Sequence, residues 1–220
     1  MSETIKIYGN SICPYSQRSV ISLLELGIDF DFVDIDFIKP PNWLYNISPL
    51  NTIPVLETSN SIIYHSSAII EYLNEIALNK LLPYDARNNA LIRSICSYID
   101  HLHSLVKECI SSAESRDYLI KITNLEKELE ILFTRILPAD YNVMKLDMIR
   151  VYLTPLLILI NTLDKHGPIN ITMNKRGMTI NEALLNMNIT KALNNTEYIE
   201  SVLRFIFTTD TSTINYLKGN

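Results

Sequence analysis

The order strand, helix, strand at the start of the chain leaves few folds open. Thr4 to Tyr8 is a short β-rich run and Ser16 to Gly27 reads as a helix. Phe30, Phe32 and Val33 to Ile35 form a second β-rich run, interleaved with Asp29, Asp31, Asp34 and Asp36. Two strands joined by a crossover of that length pair in parallel, and such crossovers are right-handed. Val20, Leu23 and Leu24 recur at helical spacing and predict one buried helix face, with Gly27 as the stop. Lys39-Pro40-Pro41-Asn42-Trp43 then interrupts regular structure, and Trp43 is predicted to pack a short irregular helix onto the sheet. Ile53-Pro54 opens a third strand and Ile62-Ile63-Tyr64 forms a fourth, with Ser59-Asn60 as the tight turn of a hairpin between them. His65-Ser66-Ser67 caps a last helix whose Ile69, Tyr72, Leu73 and Ile76 form an amphipathic stripe.

Beyond this segment the pattern changes to helices alone. Glycine disappears from Asp85 until Gly167. Ile92, Ile95, Ile99, Leu102 and Val106 form one stripe, and Ile122, Leu125, Leu129, Leu132 and Ile136 a second. They predict two long helices packed together and joined near Ala113 to Asp117. The join between domains is expected at Leu81 to Asn88, where Pro83 stops one helix and Asp85 begins the next. Met148 to Leu163 is apolar nearly all round, the mark of a central buried helix. Asp147 is its expected cap, and Arg150 stands where the acidic half of a capping box would be. Further helical runs lie near Asn181 to Leu193 and Glu197 to Phe207.

Charge and cysteine usage narrow the function classes. A net charge of −5 argues against nonspecific nucleic-acid binding, which needs a basic face, and leaves a basic protein partner open. Cys13, Cys96 and Cys109 are odd in number and widely spread, which fits a reducing compartment better than a disulfide framework. Cys96 and Cys109 lie about 20 Å apart on one predicted helix, so they cannot pair and read as core fillers. The chain enters a strand with no charged leader ahead of an apolar stretch, and the apolar run Val151 to Ile160 is about half a bilayer span. A cytoplasmic protein with no membrane segment is expected. His101 and His103 are two apart on a helix and face different ways, so no metal site is expected there.

Cys13 is the candidate reactive group, because Cys13-Pro14-Tyr15-Ser16-Gln17-Arg18 falls where strand gives way to helix. Unpaired N–H groups and the dipole of a first helical turn stabilise a thiolate, and cysteines so placed have pKa values lowered from about 8.5 to roughly 3.5–7.5. Pro14 suits the first helical position, and Arg18 adds a positive charge about one turn on. A buried cysteine that merely fills space is the competing reading. Tyr8 and Tyr15 could offer a hydroxyl to a bound thiolate or serve structure alone. A cis Ile53–Pro54 bond would leave the backbone N–H and C=O of Ile53 open to an extended peptide; a trans proline at a strand start is the alternative.

Four blocks carry a family resemblance: Cys13 to Arg18, Lys39 to Trp43, Ser48-Pro49-Leu50-Asn51-Thr52-Ile53-Pro54-Val55-Leu56-Glu57, and Ile63-Tyr64-His65-Ser66-Ser67-Ala68-Ile69-Ile70-Glu71-Tyr72-Leu73. In this order over residues 4 to 83 they resemble the N-terminal domain of cytosolic glutathione transferases, most of all the cysteine-type omega class. Tyr152-Leu153-Thr154-Pro155-Leu156-Leu157 is similar to that family's core helix. The resemblance implies an α/β thioredoxin-like, glutathione-binding domain over residues 1–83 and an all-α domain over 84–220. It implies glutathione as co-substrate, a mixed disulfide at Cys13, peptide pairing at Ile53 beside Pro54, and a γ-glutamyl contact at Ser66. The class lysine before the Pro-x-Trp segment maps to Lys39 after a shift of one position. His65 replaces the acid that family members place before the serine, which removes a charge-assisted contact worth roughly 1.5–3 kcal/mol.

Two functions follow from the resemblance. The first is glutathione-dependent thiol transfer or reduction through Cys13, acting on a small electrophile or disulfide; with Ser16 at the second position of a dithiol motif, the route is monothiol. The second is a non-enzymatic regulator similar to the stringent starvation proteins, which bind RNA polymerase. Both relatives imply a two-fold homodimer.

Overall fold

The computed structural model describes residues 5–36, 39–83, 85–112, 117–167 and 169–208. They fall into two compact units, the first ending at Pro83 and the second holding everything described from Asp85 on. In the first unit β1 (Ile5–Gly9), α1 (Pro14–Leu26) and β2 (Phe30–Asp34) form the expected crossover, and β1 and β2 pair in parallel from Ile5↔Phe30 to Gly9↔Asp34. Thr4, placed in the first strand by sequence, lies outside the described residues. After α2 (Leu44–Ile47), β3 (Val55–Glu57) and β4 (Ile62–Tyr64) form the hairpin, and the sheet order is β2-β1-β3-β4. Thr58 Oγ1 accepts from the N–H of Asn60 and of Ser61 and holds the hairpin turn. Helix α3 (Ser66–Ile76) packs against α1 and against β3 and β4. This is the thioredoxin-like arrangement of strands.

Several helix faces differ from the apolar spacing. Gly27, with φ 70°, closes α1 in the left-handed conformation as expected. Leu24 is 48% exposed and Val20 half-buried, whereas Leu23, Ile21 and Leu26 are buried together with Ser16, Gln17, Arg18, Ser19 and Ser22. More of α1's circumference is covered than one stripe can supply, so small polar side chains are buried; Ser22, for example, donates to the Arg18 carbonyl at 2.9 Å. In α3 the buried face is Ser66, Ile69, Ile70, Leu73 and Asn74, and Ile76 is 46% exposed. Trp43 is 42% exposed at the start of α2, and Leu44 takes the packing role expected of it. Pro83 does not stop a helix: α3 ends at Ile76, Leu78 and Asn79 take positive φ, and the Asn74 side chain binds Asn79 and the Leu81 N–H.

Every element of the second unit among its described residues is a helix. Helix α4 (Ala86–Ser111) is capped by Asp85, whose carboxylate accepts the Asn88 N–H at 3.0 Å. It packs against α5 (Tyr118–Ile131) and α6 (Met148–His166). The link expected near Ala113 to Asp117 lies largely outside the described residues. Both predicted stripes are inward, except that Ile92 and Ile136 are only half-buried. Tyr98 of α4 donates to the backbone carbonyl and the carboxylate of Glu128 in α5. Helix α6 is buried on all sides from Met148 to Ile160. Asp147 caps it by accepting the Arg150 N–H at 2.8 Å, and the Arg150 side chain donates back to the Met144 carbonyl instead of closing a capping box. Burial raises the Asp147 carboxyl above its ordinary range against the pull of that N–H bond.

Beyond α5 a π-helical turn (Leu132–Ile136) precedes α6, and α7 (Lys175–Leu185), α8 (Asn188–Leu193) and α9 (Thr196–Thr208) complete the unit. Arg176 donates to the carbonyls of Phe133, in the last turn, and of Leu137 and Pro138 just beyond it. Gly177 follows because a Cβ there would lie 2.7 Å from the buried Phe133 ring.

Candidate functional site

The C-terminal ends of β1 and β2 converge on a loop built to present Cys13. Asn10 organises it. Its side-chain amide donates to Asp34 at 3.2 Å and to the Ile35 carbonyl at 3.1 Å, while its Oδ1 accepts the Ile12 N–H at 3.1 Å. Its own N–H donates to Ser16 Oγ at 3.2 Å, and Gln17 Nε2 donates to the Ser11 carbonyl at 2.9 Å. The loop lies so close to the first turn of α1 that a Cβ on Gly9 would sit 2.9 Å from Ser16 Oγ. Ser16 therefore holds the loop and is not a spare hydroxyl. Within this frame Cys13 is the N-cap of α1, with φ −80° and ψ 115°, and its carbonyl accepts the Gln17 N–H at 2.9 Å.

Cys13 belongs to one buried cluster with Ile35, Leu44, Ile53 and Val55, against which Tyr8, Tyr15, Val33 and Ile47 pack. The Ile53–Pro54 bond is cis. The preceding turn is set by Ser48, whose Oγ accepts the Thr52 N–H at 3.1 Å, and by Asn51 with φ 53°. The backbone N–H and C=O of Ile53 have no partner among the described residues. In the β3–β4 ladder Val55 faces Tyr64. Cis Pro54 directly precedes β3 and His65-Ser66 directly follows β4, so both flank the same end of this ladder.

His65 departs from its expected role. It is the N-cap residue of α3 by position, yet its side chain bonds no backbone N–H; Nδ1 lies 2.7 Å from Ser67 Oγ. It is exposed and held at φ 76°, ψ 122°, a backbone conformation costly for a side-chain-bearing residue and found most often at ligand sites. Ser66 beside it is 3% exposed.

Residues 12–76 match the protein family described as glutathione S-transferase, N-terminal domain. Human glutathione S-transferase omega-2 is 36% identical over 108 residues, which cover 48% of this chain and 44% of that protein. Rat glutathione S-transferase omega-1 is 28% identical over 140 residues, 63% of this chain and 56% of that protein. The chain resembles the omega class of glutathione transferases. Its matched stretch spans about half the length of these curated relatives. Two solved structures share the fold over nearly the whole chain: the tau-class glutathione S-transferase of mango, Mangifera indica (TM-score 0.79, 17% identity, 92% of this chain and 98% of that one), and glutathione transferase omega 3C of Trametes versicolor (TM-score 0.77, 17% identity, 93% and 90%).

Around this omega-like centre, the other expected side chains have distinct positions. Lys39 is exposed beyond the end of β2, with its backbone N–H donating to Asp36 at 3.1 Å; it is not part of the Cys13 cluster. Arg18 is 1% exposed and its guanidinium lies 4.8 Å from the centre of the Tyr15 ring. Tyr8 donates its hydroxyl to the Glu57 carboxylate, and its ring meets the edge of Trp43 at 5.4 Å. That hydrogen bond, with burial and the charge of Glu57, pushes the Tyr8 phenol up to about 12. Tyr8 is thus occupied in joining β1 to β3. Glu57 and Asn10 are the participants that sequence reasoning missed. Asn10 had a local signal, since it stands two residues before Ile12 at a tight turn; Glu57 had none.

The three cysteines are all buried thiols, at 7% exposure for Cys13, 3% for Cys96 and 0% for Cys109. Burial pushes Cys109 up to about 11, with the Glu108 charge acting in the same direction. A short iodoacetamide pulse at pH 7, followed by mass spectrometry, is expected to label Cys13 ahead of Cys96 and Cys109. Equal labelling of all three would remove the case for a reactive site. Among the described residues no group of three or more side chains is arranged to hold a metal ion, and no helix is long and apolar enough to cross a membrane.

Proposed function

We propose that this protein carries out glutathione-dependent thiol transfer through Cys13. The observation that supports this most is the sharing of one cluster by Cys13 and Ile53, whose open backbone groups can pair with an extended tripeptide. In the first step the Cys13 thiolate attacks a disulfide of glutathione with a small substrate. A Cys13–glutathione disulfide forms, and the substrate leaves as its thiolate. In the second, a glutathione thiolate attacks the mixed disulfide, Cys13 is released and oxidised glutathione departs. Overall the mixed disulfide and one glutathione thiol become the substrate thiol and oxidised glutathione, so one disulfide replaces another and no outside oxidant or reductant is needed. Ser16 in place of a second cysteine leaves resolution to glutathione. In this scheme Ile53 beside cis Pro54 holds the cysteinyl part, Ser66 holds the γ-glutamyl end, and Lys39 lends charge at the rim. The setting is a reducing, cytoplasmic one, where glutathione is kept as the thiol.

His65 is the weak point of the glutathione subsite, because an imidazole cannot give the γ-glutamyl ammonium the ion pair a carboxylate gives. His65→Glu is expected to tighten glutathione by roughly ten- to a hundredfold, about 1.4–2.8 kcal/mol, in a calorimetric titration. Both residues carry a Cβ, so the cost of positive φ is similar in both proteins and the comparison isolates the side chain. No heat from either protein at millimolar glutathione would end the enzyme reading and favour a protein-binding role for the same fold.

A two-fold homodimer accompanies the proposed function, with the first domain of one subunit against the helical domain of the other. Sedimentation equilibrium at micromolar concentration is expected to return twice the chain mass of 25.2 kDa, and the single-chain mass would exclude the dimer.

A further inference from the structure

Strand β2 is an edge of the sheet and pairs with β1 alone. The Ile35 N–H donates to the Gly9 carbonyl at 2.7 Å, so Asp31 and Val33, which share its parity, turn their backbone groups towards β1. The N–H and C=O groups of Phe30, Phe32 and Asp34 point away from the sheet and have no partner among the described residues. Nothing described covers them: Asp31 and Asp34 are exposed and Phe32 is 40% exposed. Such a row of unpaired groups is a template for another strand.

Charge decides which strand. Asp29 and Asp31 flank the edge on one face of the sheet and Asp34 and Asp36 on the other, and all four are exposed. Partial desolvation and the charge of Asp36 already raise the Asp34 carboxyl above its ordinary range, so the carboxylates repel one another. A second copy of β2 at this edge would set aspartate against aspartate. A segment with lysine or arginine at alternate positions would instead bring cations to Asp29 and Asp31, while its apolar side chains on the other face lie on Phe32. We propose that the β2 edge accepts an extended basic segment of a partner protein as a fifth strand of the sheet. The strand adjoins the Cys13 cluster through Val33 and Ile35, while its open N–H and C=O groups face away from the sheet and take no part in the proposed chemistry.

The test uses the full chain and a fluorescein-labelled peptide of alternating lysine and valine. Saturable binding by anisotropy at low salt is expected, about tenfold weaker for the D29N/D31N double variant, as the loss of two solvent-screened charge pairs implies. The same peptide N-methylated at every amide keeps its charges but cannot extend the ladder, and is expected to bind at least tenfold more weakly. In the unmodified protein, hydrogen exchange of the Phe30, Phe32 and Asp34 amides is expected to slow when the peptide is bound. Equal binding of the N-methylated peptide, unchanged exchange at those three amides, an unaffected double variant or no saturable binding would each overturn the proposal. In the last case the aspartates would serve only to keep the edge from pairing.

Discussion

Cys13→Ser is expected to lower glutathione-dependent reduction of a mixed disulfide by at least about a thousandfold, while noncovalent glutathione affinity stays within about threefold. The two halves of this expectation rest on different atoms. A serine hydroxyl cannot form the mixed disulfide, and the hydroxyl of Ser16 is already engaged with the Asn10 N–H. The groups proposed to hold the tripeptide, the Ile53 backbone and the Ser66 hydroxyl, are untouched by the substitution. Oxygen in place of sulfur removes little volume from the Cys13, Ile35, Leu44, Ile53 and Val55 cluster, so the fold should persist. Single-turnover assay with a glutathionylated peptide, run beside calorimetry on the same preparation, separates chemistry from binding. Retention of more than about a tenth of the activity would show that Cys13 is not the nucleophile. A parallel loss of binding would instead mean that the thiol itself holds the ligand.

The second large effect contrasts two adjacent leucines of α1. Leu23 is fully buried and Leu24 is 48% exposed. Leu23→Ala should destabilise the protein by about 3 kcal/mol, within the roughly 2–5 kcal/mol range for a leucine removed from a packed core. Leu24→Ala should change stability by less than about 1 kcal/mol, since its outer surface is already in water. For a chain of this size the first corresponds to a fall of roughly 10 °C in the melting midpoint. The contrast matters for the site because Leu23 accepts the Ile28 N–H through its carbonyl and its side chain anchors the helix whose first turn carries Cys13. Equal midpoints for the two variants would mean that the buried face of α1 has been assigned wrongly.

Sequence alone determined what depends on neighbours within a few residues. The parallel crossover follows from strand, helix and strand in that order, and Gly27, Asp85 and Asp147 end or begin their helices by local backbone chemistry. The all-round apolar stretch from Met148 has to be buried wherever the chain goes. The Cys13 turn was legible for the same reason, being written in a few consecutive residues, whereas the sequence left cis and trans open at Ile53–Pro54 and the structure shows cis. Tertiary structure alone decided which faces of α1 and α3 are covered, because a stripe of apolar residues records one contact surface and cannot show a second that buries serines. It also set Glu57 on Tyr8 across 49 positions, bound Asn10 to Asp34 across 24, and brought Pro54 and His65 to the same end of the β3–β4 ladder. Arg176 reaches the Phe133 carbonyl across 43 positions, and Gly177 is required only because the Phe133 ring lies against it. Such pairings depend on the packing of whole elements, which no local spacing of side chains encodes.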